Sequence, residues 1–212
     1  YEVVQGVHVH RVKVLGRKEL ATASMLSMLT YPWPAFRKGL QLAKQRRYDW
    51  INTHFAVPTG PAGGWLAARL KIPNILSLHG GDIYDPSKSN SPHARFYYRA
   101  VVRWVLAMAT RVVAQSTDTR RNALRYYGYD GPINIIPLPY APVDFQSVDW
   151  VALNLAPEKK YLVSVGRLVK RKDFATLIRA LALLDKDVEL LLIGEGPERE
   201  ALEVLARQLH FV

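Results

Sequence analysis

Basic side chains gather in one turn of the second half of the chain, directly after a short apolar segment. The segment Tyr161–Val165 is apolar and β-branched, and Gly166 ends it. Several cations follow within the next turn: Arg167, Lys170, Arg171 and Lys172. Such cations, together with the N–H groups of a turn that leads into a helix, favour the binding of a phosphate-bearing anion. A basic loop that is merely solvated is the alternative, and the spacing alone supports the two about equally.

The segments on either side of this turn are predicted to be a strand and a helix. Tyr161–Val165 is expected to be a buried parallel strand. Asp173 is placed to cap a helix whose apolar residues recur at helical spacing: Phe174, Leu177, Ile178, Leu181 and Leu184. The cations therefore lie beyond the carboxyl end of a strand, which is where open parallel sheets bind ligands.

A second turn whose residues could bind a ligand or take part in catalysis lies in the first half of the chain, where His79-Gly80-Gly81-Asp82 follows an apolar segment. The two glycines let the backbone approach a ligand closely, and an imidazole can orient or protonate a bound group. His54 opens a similar loop earlier in the chain. For an isolated His-Gly pair, a histidine that simply ends a strand is the commoner explanation.

Strand-like and helix-like segments alternate along the chain, which predicts an α/β fold with a parallel sheet and helices on both faces. Strands are expected at 50–52, 73–78, 111–115 and 133–136, and a less regular strand-like segment covers the valines of 7–14. Helices are expected at 35–47, 93–109 and 198–210, through Trp65–Leu70, and from a cap at Ser116 to about Tyr127. The proline-rich stretch from Pro137 cannot continue a sheet and is predicted to begin a linker.

The basic turn resembles the donor-diphosphate loop of the family 4 glycosyltransferases, which are retaining enzymes of GT-B fold. The resemblance rests on Gly166-Arg167-Leu168, then three residues, then Lys172 before an apolar helix. About thirty residues further on, Leu191–Pro197 resembles the family's next strand and glycine-rich turn. It implies that Arg167 and Lys172 hold the diphosphate of a nucleotide-sugar donor as catalytic residues. Donor-binding roles are implied for Gly166, Gly194 and Gly196. The family has Gly where this chain has Asp173.

The resemblance extends to the first half of the chain. It implies that His79 is a catalytic residue near the transferred sugar, that Gly80, Gly81 and Asp82 bind substrate, and that the loop of His54 faces the acceptor. It also implies two Rossmann-like parallel-sheet domains: residues 1–145 on the acceptor side, a linker at 146–157, and the beginning of a nucleotide-sugar-binding domain at 158–212. Both domains are expected to be incomplete, with the base site and a glutamate pair beyond Val212.

The implied activity is transfer of a hexose-type sugar from a nucleotide-sugar donor to an acceptor with retention of configuration, in glycan, polysaccharide or glycolipid biosynthesis. The expected partners are the donor, a sugar or lipid-linked acceptor, and an anionic membrane surface in peripheral contact. No cofactor and no metal ion are implied, and residues 1–212 by themselves are expected to be inactive or nearly so. The expected location is cytoplasmic, extending to the inner membrane surface.

Composition limits the classes of function that remain open. The chain has 212 residues, 49% of them hydrophobic, and a formal net charge of +11. That charge favours anionic partners, but no signature of a nucleic-acid-binding module is present, so nucleic acid is not expected. The absence of cysteine excludes disulfides and thiolate metal sites. His8 and His10 share one strand face, yet they lack a third ligand nearby.

A basic helix face is the sequence feature that would favour membrane contact. Arg95, Arg99 and Arg103 are spaced four apart, so they lie on one face of the predicted helix at 93–109, with aromatic residues beside them. Docking on anionic lipid is one interpretation. A solvated face on a helix that packs against the core is the favoured interpretation.

Three other classes of protein remain as alternatives. The first is a non-catalytic GT-B-fold partner or regulatory subunit that uses the basic surface for assembly. The second is a GT-B enzyme of another reaction class, such as a nucleotide-sugar epimerase, which the spacing of Gly166 and Lys172 disfavours. The third is a dinucleotide-binding protein, which is disfavoured because Arg199 stands where Gly194-Glu195-Gly196 would need a third glycine.

Overall fold

The chain folds into two compact units, Tyr1–Tyr140 and Ala141–Val212. The computed structural model describes residues 1–16, 24–86, 91–140, 142, 147, 149–185 and 187–211. The predicted end of the first domain, residue 145, and the start of the predicted linker at 146 both lie outside the described residues, so these exact boundaries stay predictions. No described helix is both long and apolar enough to cross a membrane.

Unit 1 is built on a four-stranded parallel sheet. Its elements are β1 (Glu2–Val4), β2 (Val7–Val9), α1 (Met25–Thr30), α2 (Pro32–Ala43), β3 (Ile51–His54), α3 (Gly60–Leu70), β4 (Asn74–Leu78), α4 (Phe96–Met108), β5 (Arg111–Ala114), α5 (Thr117–Tyr127) and β6 (Ile133–Ile135). Strands β3, β4, β5 and β6 lie side by side in that order, all parallel. Consecutive strands are therefore neighbours, which brings their carboxyl ends to one edge.

Apolar residues of β4, β5, β6, α4 and α5 form the core of unit 1. Burying one such side chain stabilises the fold by about 1.5–3 kcal/mol. The residues that are almost completely buried include Leu76, Leu78, Val102, Val105, Leu106 and Val112. The cap predicted for α5 is confirmed, since the Ser116 hydroxyl accepts a hydrogen bond from the Thr119 N–H at 3.1 Å. The left-handed Gly128 then ends this helix.

Several element boundaries in unit 1 differ from the sequence prediction. Strand β3 extends to His54, which was predicted to lie in the following loop. Helix α2 begins at Pro32 rather than 35, because the first turn of a helix tolerates proline, and it ends at Ala43. The helix predicted at 93–109 is split, because Arg95 is extended and separates a short 3₁₀ turn from α4. The strand-like segment ends at Val9, where β2 pairs with β1 in an antiparallel hairpin outside the parallel sheet.

Unit 2 contains one parallel pair of strands and two helices. Its elements are β7 (Lys160–Val165), α6 (Phe174–Leu181), β8 (Val188–Ile193) and α7 (Arg199–Gln208). The register places Lys160 opposite Val188 and Val165 opposite Ile193. A small core joins α6 and α7 to β8 through Leu168, Phe174, Ile178, Leu190, Leu192 and Leu202.

Two predictions for unit 2 are wrong in part. Strand β7 is not buried: Val163 is 59% exposed and Val165 is 72% exposed. Within the described residues β7 pairs with β8 alone, and the apolar core is formed with β8, so the side chains of β7 are left uncovered. Helix α6 ends at Leu181, so Leu184 lies in the following turn rather than on the helix.

Candidate functional site

The two histidines singled out in the sequence meet at the carboxyl edge of the sheet in unit 1. His54 is the last residue of β3, and His79 directly follows β4. Since these strands are parallel neighbours, their ends are adjacent, and His54 pairs in register with Ser77. The Nδ1 atom of His54 lies 2.9 Å from Nε2 of His79, so the imidazoles are hydrogen-bonded to each other.

Two further side chains hold the His79 ring, and the sequence pattern did not select either of them. Phe55 stacks on the imidazole with ring centroids 4.2 Å apart. The amide Nε2 of Gln115 lies 2.5 Å from His79 Nδ1. Gln115 follows β5, the next strand along the sheet, so the rule that ligand sites form beyond strand ends was the signal available for it.

The carboxylate of Asp82 is buried and hydrogen-bonded to backbone groups rather than exposed to solvent. It is 6% exposed, and its oxygens accept hydrogen bonds from the N–H groups of Ala56, at 2.6 Å, and His79, at 2.9 Å. The carboxylate thus ties the loop after β3 to the turn after β4. Gly80 has a φ of +91°, a left-handed conformation that glycine adopts without strain. A substrate contact for Asp82, Gly80 or Gly81 stays a prediction.

Burial controls the ionisation of both groups in this turn. Burial lowers the pKa of His79, the His54 imidazole lowers it slightly further, and the Asp82 carboxylate opposes this by raising it. Burial also raises the pKa of Asp82, while the hydrogen bonds from the Ala56 and His79 N–H groups lower it. The net effect favours a neutral His79 in the folded protein.

The basic turn of unit 2 presents three cations that form no ion pair within the described part of the chain: Arg167, Lys170 and Lys172. Lys170–Lys172 form a 3₁₀ turn between β7 and α6. Arg167, Lys170 and Lys172 are exposed. A charged group without a partner in the protein is available to a charged ligand.

The second glycine motif lies directly against the basic turn. A Cβ atom at Gly194 would lie 1.9 Å from the Gly166 carbonyl oxygen, and one at Gly196 would lie 2.3 Å from that of Leu168. Backbone hydrogen bonds join the two loops: Gly166 N–H to the Ile193 carbonyl, and Leu168 N–H to that of Glu195. The structure therefore gives Gly194 and Gly196 a packing role, and donor contact by these glycines and by Gly166 stays a prediction.

Asp173 stands at the start of α6, but its side chain does not cap the helix as predicted. It adopts the left-handed conformation, with φ of +51°, and its carboxylate accepts a hydrogen bond from the Thr176 hydroxyl at 2.9 Å. In the described residues, the N–H groups of Phe174 and Ala175 have no hydrogen-bond partner. These two donors and the neighbouring cations make the turn suitable for an anion.

Neither candidate site is arranged as a metal centre. Among the described residues, no group of three or more His, Cys, Asp and Glu side chains is placed to hold a metal ion. The ring of Tyr1 packs against both His8 and His10.

A cavity of about 1000 Å³ in unit 2 is lined by β8, α6 and α7 residues such as Ile178, Leu190 and Leu202, and neither Arg167 nor Lys172 lines it.

The parallel α/β units, each with its candidate residues beyond strand ends, define a protein of GT-B fold. A structure of sucrose-phosphate synthase from Thermosynechococcus elongatus superposes with a TM-score of 0.71 over 94% of this chain and 52% of its own, at 18% identity. The Anabaena protein Alr3699/HepE, determined in complex with UDP, superposes with a TM-score of 0.65 over 83% of this chain and 49% of its own, at 19% identity. At these identities the likeness establishes the fold alone.

Family models identify the two units. The Glycosyl transferase 4-like domain matches residues 1–139, and the Glycosyl transferases group 1 model matches residues 149–211. The chain belongs to the glycosyl transferase 4-like family. The curated relative TuaC of Bacillus subtilis (strain 168), described as a glycosyltransferase of teichuronic acid biosynthesis, is 29% identical over 172 residues. That match covers 77% of this chain and 42% of TuaC, so the chain spans less than half the length of this relative.

Proposed function

We propose that the whole protein transfers a sugar from a nucleotide-sugar donor to a sugar or lipid-linked acceptor. One observation in a chain of this family carries the proposal. Among the described residues, Arg167 and Lys172 form no ion pair, and the nearby N–H groups of Phe174 and Ala175 have no hydrogen-bond partner. A diphosphate is the ligand chemistry that such donors recognise best, because charge-assisted hydrogen bonds are the strong ones.

Unit 2 supplies the groups for the departing diphosphate. Breaking the bond between a sugar and a nucleotide leaves negative charge on the diphosphate oxygens, and donors fixed beforehand stabilise that charge without reorganisation. Arg167 suits two oxygens at once through its planar guanidinium, while Lys172 acts as a point charge. Loss of one such donor costs about 3 kcal/mol of transition-state stabilisation.

Unit 1 supplies the histidine turn, whose role in the proposal is to position the transferred sugar through His79. Phe55 holds the plane of the imidazole, and His54 and Gln115 hold its ring nitrogens, so its orientation is fixed. A hydrogen bond from His79 to the sugar would replace one of these two partners. A preorganised group loses little entropy when it binds a substrate, which is how positioning residues contribute to rate. His54 would face the acceptor.

The proposed identities of the donor nucleotide, its sugar and the acceptor come from the descriptions of similar proteins. The HepE structures contain UDP or UDP-glucose, which favours a UDP-hexose as the first donor to test. The description of TuaC favours an acceptor in polysaccharide biosynthesis, and a glycolipid acceptor is the alternative to test. Retention of configuration, independence of metal ions and cofactors, a cytoplasmic location and peripheral contact with an anionic membrane are further parts of the proposal.

Nucleotide binding to the full-length protein tests the diphosphate site. UDP, GDP and ADP are titrated against the wild type, Arg167→Ala and Lys172→Ala, and the dissociation constant is measured by calorimetry. Each substitution should weaken binding of the preferred nucleotide about tenfold to hundredfold. Arg179→Ala is the matched control, because Arg179 is an exposed cation in the last turn of α6, away from the basic turn. Equal binding by all variants would exclude this turn as the site.

Product analysis tests the reaction itself. With the preferred UDP-sugar and a polysaccharide or undecaprenol-linked acceptor, transfer should continue in EDTA, and NMR of the product should show the anomeric configuration of the donor. Inverted product would refute retention while leaving the diphosphate site intact. A folded full-length protein that binds nucleotide but transfers nothing to any acceptor would favour the non-catalytic partner instead.

A further inference from the structure

Five polar side chains form one continuous hydrogen-bonded chain across the carboxyl edge of the sheet in unit 1. In order they are Gln115, His79, His54, Asn52 and Ser77. The successive atom pairs are 2.5, 2.9, 3.1 and 3.1 Å apart. These residues belong to β3 and β4 or directly follow β4 and β5, so the chain crosses three neighbouring strand ends.

The chemistry of imidazole allows this chain only two neutral arrangements. A neutral imidazole donates from one ring nitrogen and accepts at the other. Each of the two histidines uses both ring nitrogens in the chain, so every hydrogen bond must point in the same direction. If the donors run from Gln115 toward Ser77, both imidazoles carry hydrogen on Nε2. If they run from Ser77 toward Gln115, both carry hydrogen on Nδ1.

As placed, the amide nitrogens of Gln115 and Asn52 both face an imidazole, and Ser77 donates to Asn52 Oδ1, so one of the two amides must be turned before all donors run in one direction. Turning Gln115 would give the Nδ1–H arrangement, whereas turning Asn52 gives the Nε2–H arrangement and leaves the Gln115 nitrogen on Nδ1 of His79. Asn52 lies 3.1 Å from its partner on either side, so exchanging its amide oxygen and nitrogen by a half rotation alters neither distance. After that exchange Asn52 accepts from His54 and donates to the Ser77 hydroxyl, and every donor has an acceptor.

We propose that Gln115 and Asn52 are positioning residues that together hold His79 and His54 as Nε2–H tautomers. Gln115 acts by donating to Nδ1 of His79, and Asn52 acts by accepting from Nε2 of His54. The functional consequence rests on the proposed sugar transfer: the tautomer decides which polar groups of the histidine turn are available to a substrate. In this arrangement the hydrogen of the Ser77 hydroxyl is the one left free to donate at the end of the chain.

Gln115 also controls how His79 takes up a proton. Both ring nitrogens of His79 are already engaged, so a proton can enter at Nδ1 only if Gln115 turns its amide oxygen toward the ring. The ionisable groups that act on His79 are His54 of β3 and Asp82 of its own turn. Burial lowers the pKa of His79, in agreement with the neutral arrangement at physiological pH.

The tautomers can be measured directly in the full chain. Two-bond proton–nitrogen NMR correlations identify the protonated ring nitrogen, recorded at about pH 8, where an ordinary histidine is neutral. The wild type should show Nε2–H for both His79 and His54. In Gln115→Glu the carboxylate can only accept, so both imidazoles should reverse to Nδ1–H. In Asn52→Asp the carboxylate again only accepts, and both should remain Nε2–H.

The pair of variants makes each outcome decisive. Reversal by Asn52→Asp but not by Gln115→Glu would show that the chain runs the other way, and no reversal by either would show that no such chain exists. Gln45→Glu serves as the matched control, because Gln45 is exposed beyond the end of α2. If Gln115→Glu does not fold, Gln115→Met replaces it, and the His79 tautomer signal should then become a mixture. An unchanged Nε2–H signal in that variant would overturn the proposal.

A kinetic readout links the chain to sugar transfer. Gln115→Glu places a carboxylate on His79 and should move the acidic limb of the kcat profile to higher pH, while KM for the nucleotide sugar stays within about twofold. A profile unchanged in pH would overturn the link to turnover. If the protein transfers no sugar at all, the proposed function fails, while the NMR result still decides whether the hydrogen-bonded chain exists.

Discussion

The histidine turn of unit 1 and the basic turn of unit 2 lie at equivalent places, each beyond the carboxyl end of a parallel strand, but they are built in opposite ways. In unit 1 the carboxylate of Asp82 and the ring of His79 are engaged by protein groups. In unit 2 the side chains of Arg167 and Lys172 have no ion-pair partner among the described residues. In the histidine turn, other protein groups already hydrogen-bond these polar side chains. In the basic turn, Arg167 and Lys172 are available to pair with a charged ligand.

This difference suits the two roles that the proposed function gives to the turns. A turn with satisfied hydrogen bonds keeps its geometry and can position a neutral substrate such as a sugar. A turn with free cations and free N–H groups gains most from a multiply charged ligand. If the two turns differ in this way, substitutions in each should affect stability and ligand binding differently, and glycine packing should show the largest effect.

Gly194→Ala should remove the close packing on which the basic turn depends. The new Cβ atom would lie 1.9 Å from a backbone oxygen, so the two loops must separate, at a cost of about 3 kcal/mol in unfolding free energy. Chemical denaturation of the variant and wild type measures this loss. Gly81→Ala is the control, because a Cβ atom there meets nothing within 4 Å. Equal losses in the two variants would contradict the packing role of Gly194.

Asp82→Ala should loosen the histidine turn. It leaves the N–H groups of Ala56 and His79 without an acceptor, and Ala56 is 0% exposed, so water cannot replace the lost carboxylate there. We expect a loss of about 2 kcal/mol in unfolding free energy, measured by chemical denaturation. Asp82→Asn keeps one acceptor oxygen and should lose less. Wild-type stability of Asp82→Ala would refute the structural role of the carboxylate.

Substitutions of Asp173 separate backbone strain from charge. Asp173→Ala places an alanine at φ of +51° and should cost about 1 kcal/mol in unfolding free energy, whereas Asp173→Gly relieves the strain. Both remove a negative charge beside the basic turn, so both should bind nucleoside diphosphate a few times more tightly. Calorimetric titration alongside denaturation distinguishes the two effects. Weaker binding by both variants would mean that the carboxylate supports the site.

The smallest expected effect is the response of stability to pH through His79. The folded state lowers the pKa of His79, so the folded protein binds this proton less readily than the unfolded chain does. Stability from this group is present above the unfolded pKa of about 6.5 and is lost as pH falls through the folded value. The fall in Tm on acidification should be smaller in His79→Gln than in the wild type. Identical slopes would contradict the effect of burial.

Much of the fold could be predicted from the sequence, because its signals are local. Alternating apolar segments predict the parallel strands β3, β4, β5 and β6, and a serine before a helical pattern predicts the cap of α5. The misplaced helix boundaries have local causes that a periodicity pattern does not contain, such as the proline at the start of α2. The exposure of β7 depends on which strands lie beside it, which no local pattern states.

The candidate site was predictable in its residue types but not in its connections. Spacing and resemblance select His79 and Lys172, and the same strand-end rule that selects His54 also applies to Gln115. What the pattern lacks is the contact itself: the hydrogen bond from Gln115 to His79 joins residues 36 positions apart. Asp173 has a left-handed φ at a position where the resembling family has glycine. Because glycine adopts this conformation without strain, the family pattern could have predicted it.

Local sequence is enough to define the order of strands and helices, the excess of positive charge and the two turns in which chemistry is concentrated, because propensity, periodicity and charge belong to neighbouring residues. The folded arrangement is needed to bury Asp82 against the loop after β3, to pack Gly194 on the backbone of Gly166, and to join His54 to His79 by a hydrogen bond. These contacts arise when the parallel strands pair, and the pairing brings together groups that the chain holds far apart.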